Sequence, residues 1–137
     1  MDISISHTQG KVPVTIMRIN GDLDATAYET FEPKAKNEIS SGSNDLLIDL
    51  SGVPFMSSAG IRVINSLYYQ LHPYTSEENK KRISRGVRDG TYEAPHLKLL
   101  KPNKRVLEVL KLVGVDMYLG IYSNEQNAIS AFNNNSN

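Results

Sequence analysis

Apolar and polar residues alternate from the start of the chain. Ile3, Ile5 and His7 stand at every second position, and Val12, Val14 and Ile16 repeat the pattern after Gly10-Lys11. A period of two predicts a β-hairpin with one buried face, and Asn20-Gly21-Asp22 ends it as a turn. From Asp24 the spacing lengthens. Tyr28, Phe31, Ala35 and Ile39 lie three or four residues apart and share one face of a predicted helix, stopped at Ser40–Asn44. Leu46–Leu50 is a short, almost unbroken apolar run between turn signals, the pattern of a strand covered on both faces. A second helix is predicted through Ile61, Ile64, Leu67, Tyr68 and Leu71, and a short strand at Leu97–Leu100. Lys101-Pro102-Asn103 then starts a helix through Val106, Leu107, Leu110 and Val113, closed by Gly114. Tyr118–Tyr122 predicts the last strand, and Ser123 caps a final helix through Ala128, Ile129 and Phe132. Residues 133–137 read as a disordered tail.

The predicted order is ββαβαβαβα. Repeated β-α crossovers imply an α/β domain with a mixed, mainly parallel sheet of four or five strands and about four helices, the opening hairpin adding the antiparallel strand. A chain of 137 residues, 39% hydrophobic, suits one domain spanning 1–137. Residues 72–96 stand out as a long polar insertion, with Lys80, Lys81, Arg82, Arg85 and Arg88 set against Glu77, Glu78, Asp89 and Glu93. Part of it reads as an extension of the second helix from Glu77 towards Ser84, while Gly86 and Gly90 break the pattern beyond. Either the insertion is a solvated segment or it docks a particular partner.

Charge narrows the function. Fifteen Lys and Arg balance fifteen Asp and Glu, which argues against non-specific nucleic-acid binding and against an electrostatic membrane anchor. No apolar run approaches the length of a membrane span, and the N-terminus has no signal-peptide pattern. Cysteine is absent, so neither disulfides nor thiolate metal sites arise. A cytoplasmic domain is the expectation.

Chemistry concentrates in Asp49–Arg62, where a strand passes through a loop into Ser57-Ser58-Ala59-Gly60 at the mouth of a helix. Unpaired backbone N–H groups and the macrodipole make such a terminus electropositive, and Ala59 and Gly60 suggest close approach by another molecule. A hydroxyl there is well placed to carry a phosphate, although a serine at this position also serves simply as an N-cap. A hydrolase nucleophile elbow wants Gly-x-Ser-x-Gly and a histidine base. Neither serine is flanked that way, and His7, His72 and His96 stand in no supporting motif. No Walker-type loop or metal-ligand cluster is present, and Asp22 and Asp24 are too few for an EF-hand.

Leu46–Val53 followed by Met56–Gly60 resembles the signature of STAS domains, the sulfate-transporter and anti-sigma-factor-antagonist family. Gly21-Asp22-Leu23-Asp24 is similar to a second family segment, and Leu97–Leu100 with Asn103–Leu110 and Gly114 to a later strand and helix. The resemblance implies an anti-sigma-factor antagonist whose unmodified form binds an anti-sigma factor that is also a GHKL-type serine kinase, releasing the sigma factor. Phosphorylation ends that binding and a PP2C-type phosphatase restores it. Aligning on Gly60 places the acceptor at Ser58, with Ser57 as second candidate. Ser57 stands where the family often has Asp, and Ala59 where it has Ser or Thr. The implied partner surface comprises Asp24, Met56, Ser57, Ser58, Ala59, Gly60 and Arg62, with no cofactor. Asp24 reads equally as a helix N-cap. The alternative is a STAS module used as scaffold or ligand-binding part of a larger sensory complex.

Overall fold

Five strands and five α-helices make up the computed structural model, which describes residues 1–73 and 76–133. They are β1 (Asp2–Gln9), β2 (Pro13–Asn20), α1 (Phe31–Ser40), β3 (Leu46–Gly52), α2 (Ser58–Leu71), α3 (Glu77–Asp89), β4 (Leu97–Leu100), α4 (Lys104–Leu112), β5 (Gly120–Tyr122) and α5 (Glu125–Ala131). The strands lie side by side in chain order, β1 antiparallel to β2 and the rest parallel. When right-handed crossovers advance steadily in one direction, every crossover helix falls on the same face of the sheet. Hence Phe31 and Ala35 of α1, Ile64 and Leu67 of α2, and Val106 and Leu110 of α4 share one core with Met17, Ile48 and Leu99. The opposite face is left to α5, where Ala128, Ile129 and Phe132 cover Val14, Ile16, Leu47 and Leu100.

That second layer corrects the hairpin expectation. β2 is buried on both faces, with Val14 and Ile16 under α5 and Met17 and Ile19 under the other helices. Only β1, at the sheet's edge, alternates half-buried Ile3 and Ile5 with exposed residues. The first helical stripe also differs. Ala25–Tyr28 is a separate 3-10 turn, and Tyr28 is exposed while Ala27 takes the buried place. The final strand is shorter than expected, and Asn124, not Ser123, caps α5 by accepting from the Asn127 N–H. The expected tail, apart from Asn133, falls on residues 134–137, outside the described residues.

The largest difference lies in the insertion. α2 stops at His72, and Ser76 caps a separate helix by accepting from the Asn79 N–H. This α3 runs through Gly86 to Asp89 and closes at Gly90, whose left-handed φ of 77° suits glycine. Sequence periodicity missed it because α3 buries no side chain and so has no apolar stripe of core width.

Buried and half-buried polar groups hold the layers in register. Arg18 on β2 donates to Asp49 on β3 at 2.7 Å and to Glu125 on α5 at 2.8 Å. Burial pushes the Asp49 carboxyl up, but hydrogen bonds from Ser51 and Arg18 outweigh it and hold it below the usual carboxylate range. Lys98, buried on β4, donates to Glu93 at 2.5 Å and to the Ala94 carbonyl at 3.1 Å.

His72 is the acid-sensitive member of this set. Its Nδ1–H donates to the Tyr68 carbonyl at 2.8 Å, and its Nε2 accepts the His96 backbone N–H at 3.0 Å. Both nitrogens are therefore committed to the neutral ring, and burial pushes the imidazole down from 6.5 to about 4. The neutral ring contributes stability that is fully present above about pH 6.5 and is lost as the pH falls towards 4, at most about 3 kcal/mol. Urea unfolding at pH 7 and pH 5 is expected to show that fall begin in the wild type and to show it much reduced in His72→Gln. Equal slopes in both proteins would remove His72 as the cause.

Candidate functional site

The β3–α2 loop is clamped from two sides. On one side the 21–23 segment runs alongside it. Gly21 N–H donates to the Gly52 carbonyl, Leu23 N–H to Phe55 and Ser57 N–H to Leu23, at 3.0, 2.9 and 2.9 Å. Leu23 thus forms a one-residue parallel bridge with Met56. On the other side Asn103 caps α4 with its carbonyl oxygen, 2.8 Å from the Val106 N–H, while its NH₂ group donates to the Val53 carbonyl at 3.2 Å. The local pattern at Lys101-Pro102-Asn103 predicts a helix start alone. The second contact of Asn103 joins residues fifty positions apart, and no local pattern carries that information.

Within this frame the two serines differ. Ser57 is the N-cap of α2. Its hydroxyl accepts from the Ala59 N–H at 3.2 Å and donates to the Leu23 carbonyl at 3.3 Å. Ser58 is the first residue of the 14-residue helix. It is exposed, and its hydroxyl makes no hydrogen bond among the described residues. Arg62, one turn further on, is exposed too, and residues four apart share a helix face. At a helix N-terminus this face has a positive local field, which suits an added phosphate.

Met56 and Gly60 sit deeper than a contact surface requires. Met56 is 2% exposed. A Cβ on Gly60 would stand 2.8 Å from the Leu23 carbonyl oxygen and 3.0 Å from the Leu23 Cβ. The absent side chain lets the start of α2 pack on Leu23, so Gly60 shapes the loop from inside instead of opening it to a visitor. Ala59 is half-buried. Asp24 caps the 3-10 turn, accepting from the Thr26 hydroxyl and N–H at 2.7 and 3.0 Å. Those two bonds hold its carboxyl below the usual range. The capping role expected of Asp24 is met, and the Leu23–Ser57 hydrogen bond brings its neighbour against the serine loop.

Two exposed aromatic residues lie outside the predicted site, one in the β3–α2 loop and one on the 3-10 turn that Asp24 caps. Phe55 lies in the loop at 41% exposure, and Tyr28 ends the 3-10 turn at 40%. For Phe55 the signal was an aromatic between Pro54 and Met56 in a loop; Tyr28 was hidden by its apparent place in a helical stripe. Among the described residues, no group of three or more His, Asp and Glu could hold a metal ion, and no helix is long and apolar enough to cross a membrane.

Comparison with known proteins places this arrangement. The family model of the STAS domain matches residues 6–77. The chain is similar in structure to a Thermotoga maritima protein assigned as an anti-sigma factor antagonist, at 20% identity and a TM-score of 0.69, covering 93% of this chain and 91% of that one. It is similar also to the Bacillus anti-sigma factor antagonist SpoIIAA in its unphosphorylated form, at 19% identity, a TM-score of 0.65 and 93% coverage of both chains. More distantly it is similar to the STAS domain of a SulP transporter from Vibrio cholerae, at 23% identity, a TM-score of 0.51 and coverage of 86% and 77%. No curated protein matches the chain by sequence. The family match spans more than half of the chain, the structural likenesses carry the same fold over nearly all of it, and the chain belongs to the STAS domain family.

Proposed function

We propose that this protein is an anti-sigma-factor antagonist that switches partners when Ser58 is phosphorylated. The strongest support is the division of labour between the serines. Ser57 spends its hydroxyl on the helix cap and on Leu23, whereas Ser58 offers an exposed, uncommitted hydroxyl one residue later. The unmodified form binds an anti-sigma factor that is also a GHKL-type serine kinase, freeing the sigma factor. Phosphorylation ends that complex, and a PP2C-type phosphatase resets it. The chain is a substrate of this chemistry and not its catalyst. Its setting is the cytoplasm, with neither nucleic acid nor membrane as partner.

The mechanism needs no refolding. In the free protein a phosphate on Ser58 is favoured by the helix terminus and lies within one turn of Arg62. In the complex the same dianion would be pressed into a contact that includes Phe55 and Tyr28, where it loses water without gaining a counter-charge. SpoIIAA is known in both an unphosphorylated and a phosphorylated structure, which supports reading the fold as compatible with either state. Incubating the protein with ATP and the kinase, then mapping the phosphate by mass spectrometry, is expected to place it on Ser58. Phosphate on Ser57, or none on either serine, would remove Ser58 as the acceptor.

The likeness to a transporter STAS domain supports a second reading, in which the module is a scaffold or ligand-binding part of a larger sensory complex. That reading requires assembly indifferent to the charge at Ser58.

A further inference from the structure

Five of the chain's 15 lysines and arginines lie in the 13 residues of α3. Glu77 and Glu78 in the first turn and Arg88 in the last complement the helix dipole. Lys80, Lys81, Arg82 and Arg85 have no such explanation. Lys81, Arg85 and Arg88 are spaced four and three apart, form one exposed face, and have no hydrogen bond or ion pair among the described residues. The helix beneath them is held in place. Gly86 accepts backbone N–H groups from Thr91 and Tyr92 at 2.9 and 3.1 Å, and the Tyr92 and Tyr68 hydroxyls meet at 3.0 Å. Half-buried Ile83 and Val87 turn towards α2 and line, with Asn65, Tyr69 and Tyr118, a groove of about 440 Å³. Tyr69 is 61% exposed at its rim.

We propose that the α2–α3 groove and the Lys81–Arg85–Arg88 face form a second docking surface, for an acidic protein segment carrying apolar side chains. Complementary charge would steer that segment to α3, and the groove would take its apolar residues. A bilayer is a poor fit, because α3 turns its apolar side inward and has no exposed apolar face to insert. Nucleic acid is a poor fit because the chain as a whole carries no basic surplus. This surface does not depend on the role of Ser58, which lies at the opposite end of α2.

The test is a titration of the full-length, isotope-labelled protein with a synthetic peptide of repeating Glu-Glu-Leu-Leu units, followed by amide chemical shifts. Shifts are expected at Tyr69, Ile83, Ser84, Val87 and Arg88. Affinity is expected to fall on the order of tenfold between low salt and about 0.3 M. A similar loss is expected in Lys81→Gln/Arg85→Gln, whose helix content, read by circular dichroism, stays unchanged because neither residue is buried and neither lies in the turn that complements the dipole. Ser58→Asp leaves this affinity as it was, so failure here and failure of the phospho-switch are separately visible. The proposal is overturned by shifts absent from α3, by an equal response to a Lys-Lys-Leu-Leu peptide, or by tighter binding of random duplex DNA or phosphatidylserine vesicles than of the acidic peptide.

Discussion

Ser58→Asp is expected to weaken binding of the anti-sigma-factor kinase by at least a hundredfold, while Ser58→Ala binds about as the wild type does and accepts no phosphate. The size follows from where the charge goes. Leaving a charge unpaired in a desolvated contact costs several kcal/mol, and each 1.4 kcal/mol is tenfold in affinity. Phosphate carries about 1.5 to 2 negative charges at neutral pH, so the single charge of aspartate sets a lower bound. The contrast with the neighbouring serine is informative. Ser57→Ala keeps the acceptor but loses the cap on α2 and its bond to Leu23, and is expected to lose about 1 kcal/mol of stability. Titration calorimetry on the four proteins separates the two roles, because one serine changes affinity through charge and the other changes the fold beneath it.

Leu23→Ala is expected to destabilise the protein by about 2–5 kcal/mol, the range for truncating a well-packed leucine. Leu23 is 0% exposed. Its backbone holds both Phe55 and Ser57, and its side chain fills the space that Gly60 leaves open. A cavity there loosens the floor of the β3–α2 loop as well as the core. Urea denaturation is expected to give a lower midpoint with an unchanged slope. Binding is expected to weaken as well, because the loop no longer fixes Phe55 and Ser58. Stability within 1 kcal/mol of the wild type would show that the 21–23 segment does not support the loop.

Much of the fold was legible because local pattern and tertiary role agree. Leu46–Leu50 reads as a strand covered on both faces, and it is one, sandwiched between α5 and the other helices. The run from Asp49 to Arg62 pointed to the start of a helix with a serine at its mouth, and α2 begins there. Failures arose where a long-range contact overrode a local signal. Val14 and Ile16 look like one face of a simple hairpin because α5, which covers them, lies more than a hundred residues away. Tyr28 matches the spacing of a helical stripe, but the cap at Asp24 winds the chain as a 3-10 turn and sends the ring outward. Gly86 looks like a helix breaker, yet Tyr92 packs within 2.9 Å of where its Cβ would be, so the position tolerates little else. At the site, the family alignment on Gly60 favours Ser58 over Ser57, but the local pattern of two adjacent serines does not say which hydroxyl is committed. Only the hydrogen bonds to Leu23 and Ala59 tell the cap from the free hydroxyl.

The most direct measurement is affinity capture from a native-host lysate with wild-type and Ser58→Asp baits, the captured proteins being quantified by mass spectrometry. A phospho-switch predicts a GHKL-type kinase retained by the wild type and lost, by a hundredfold or more, with Ser58→Asp. Capture of the same partners in equal amounts by both baits would contradict it and leave the chain a STAS scaffold whose Ser58 merely begins a helix.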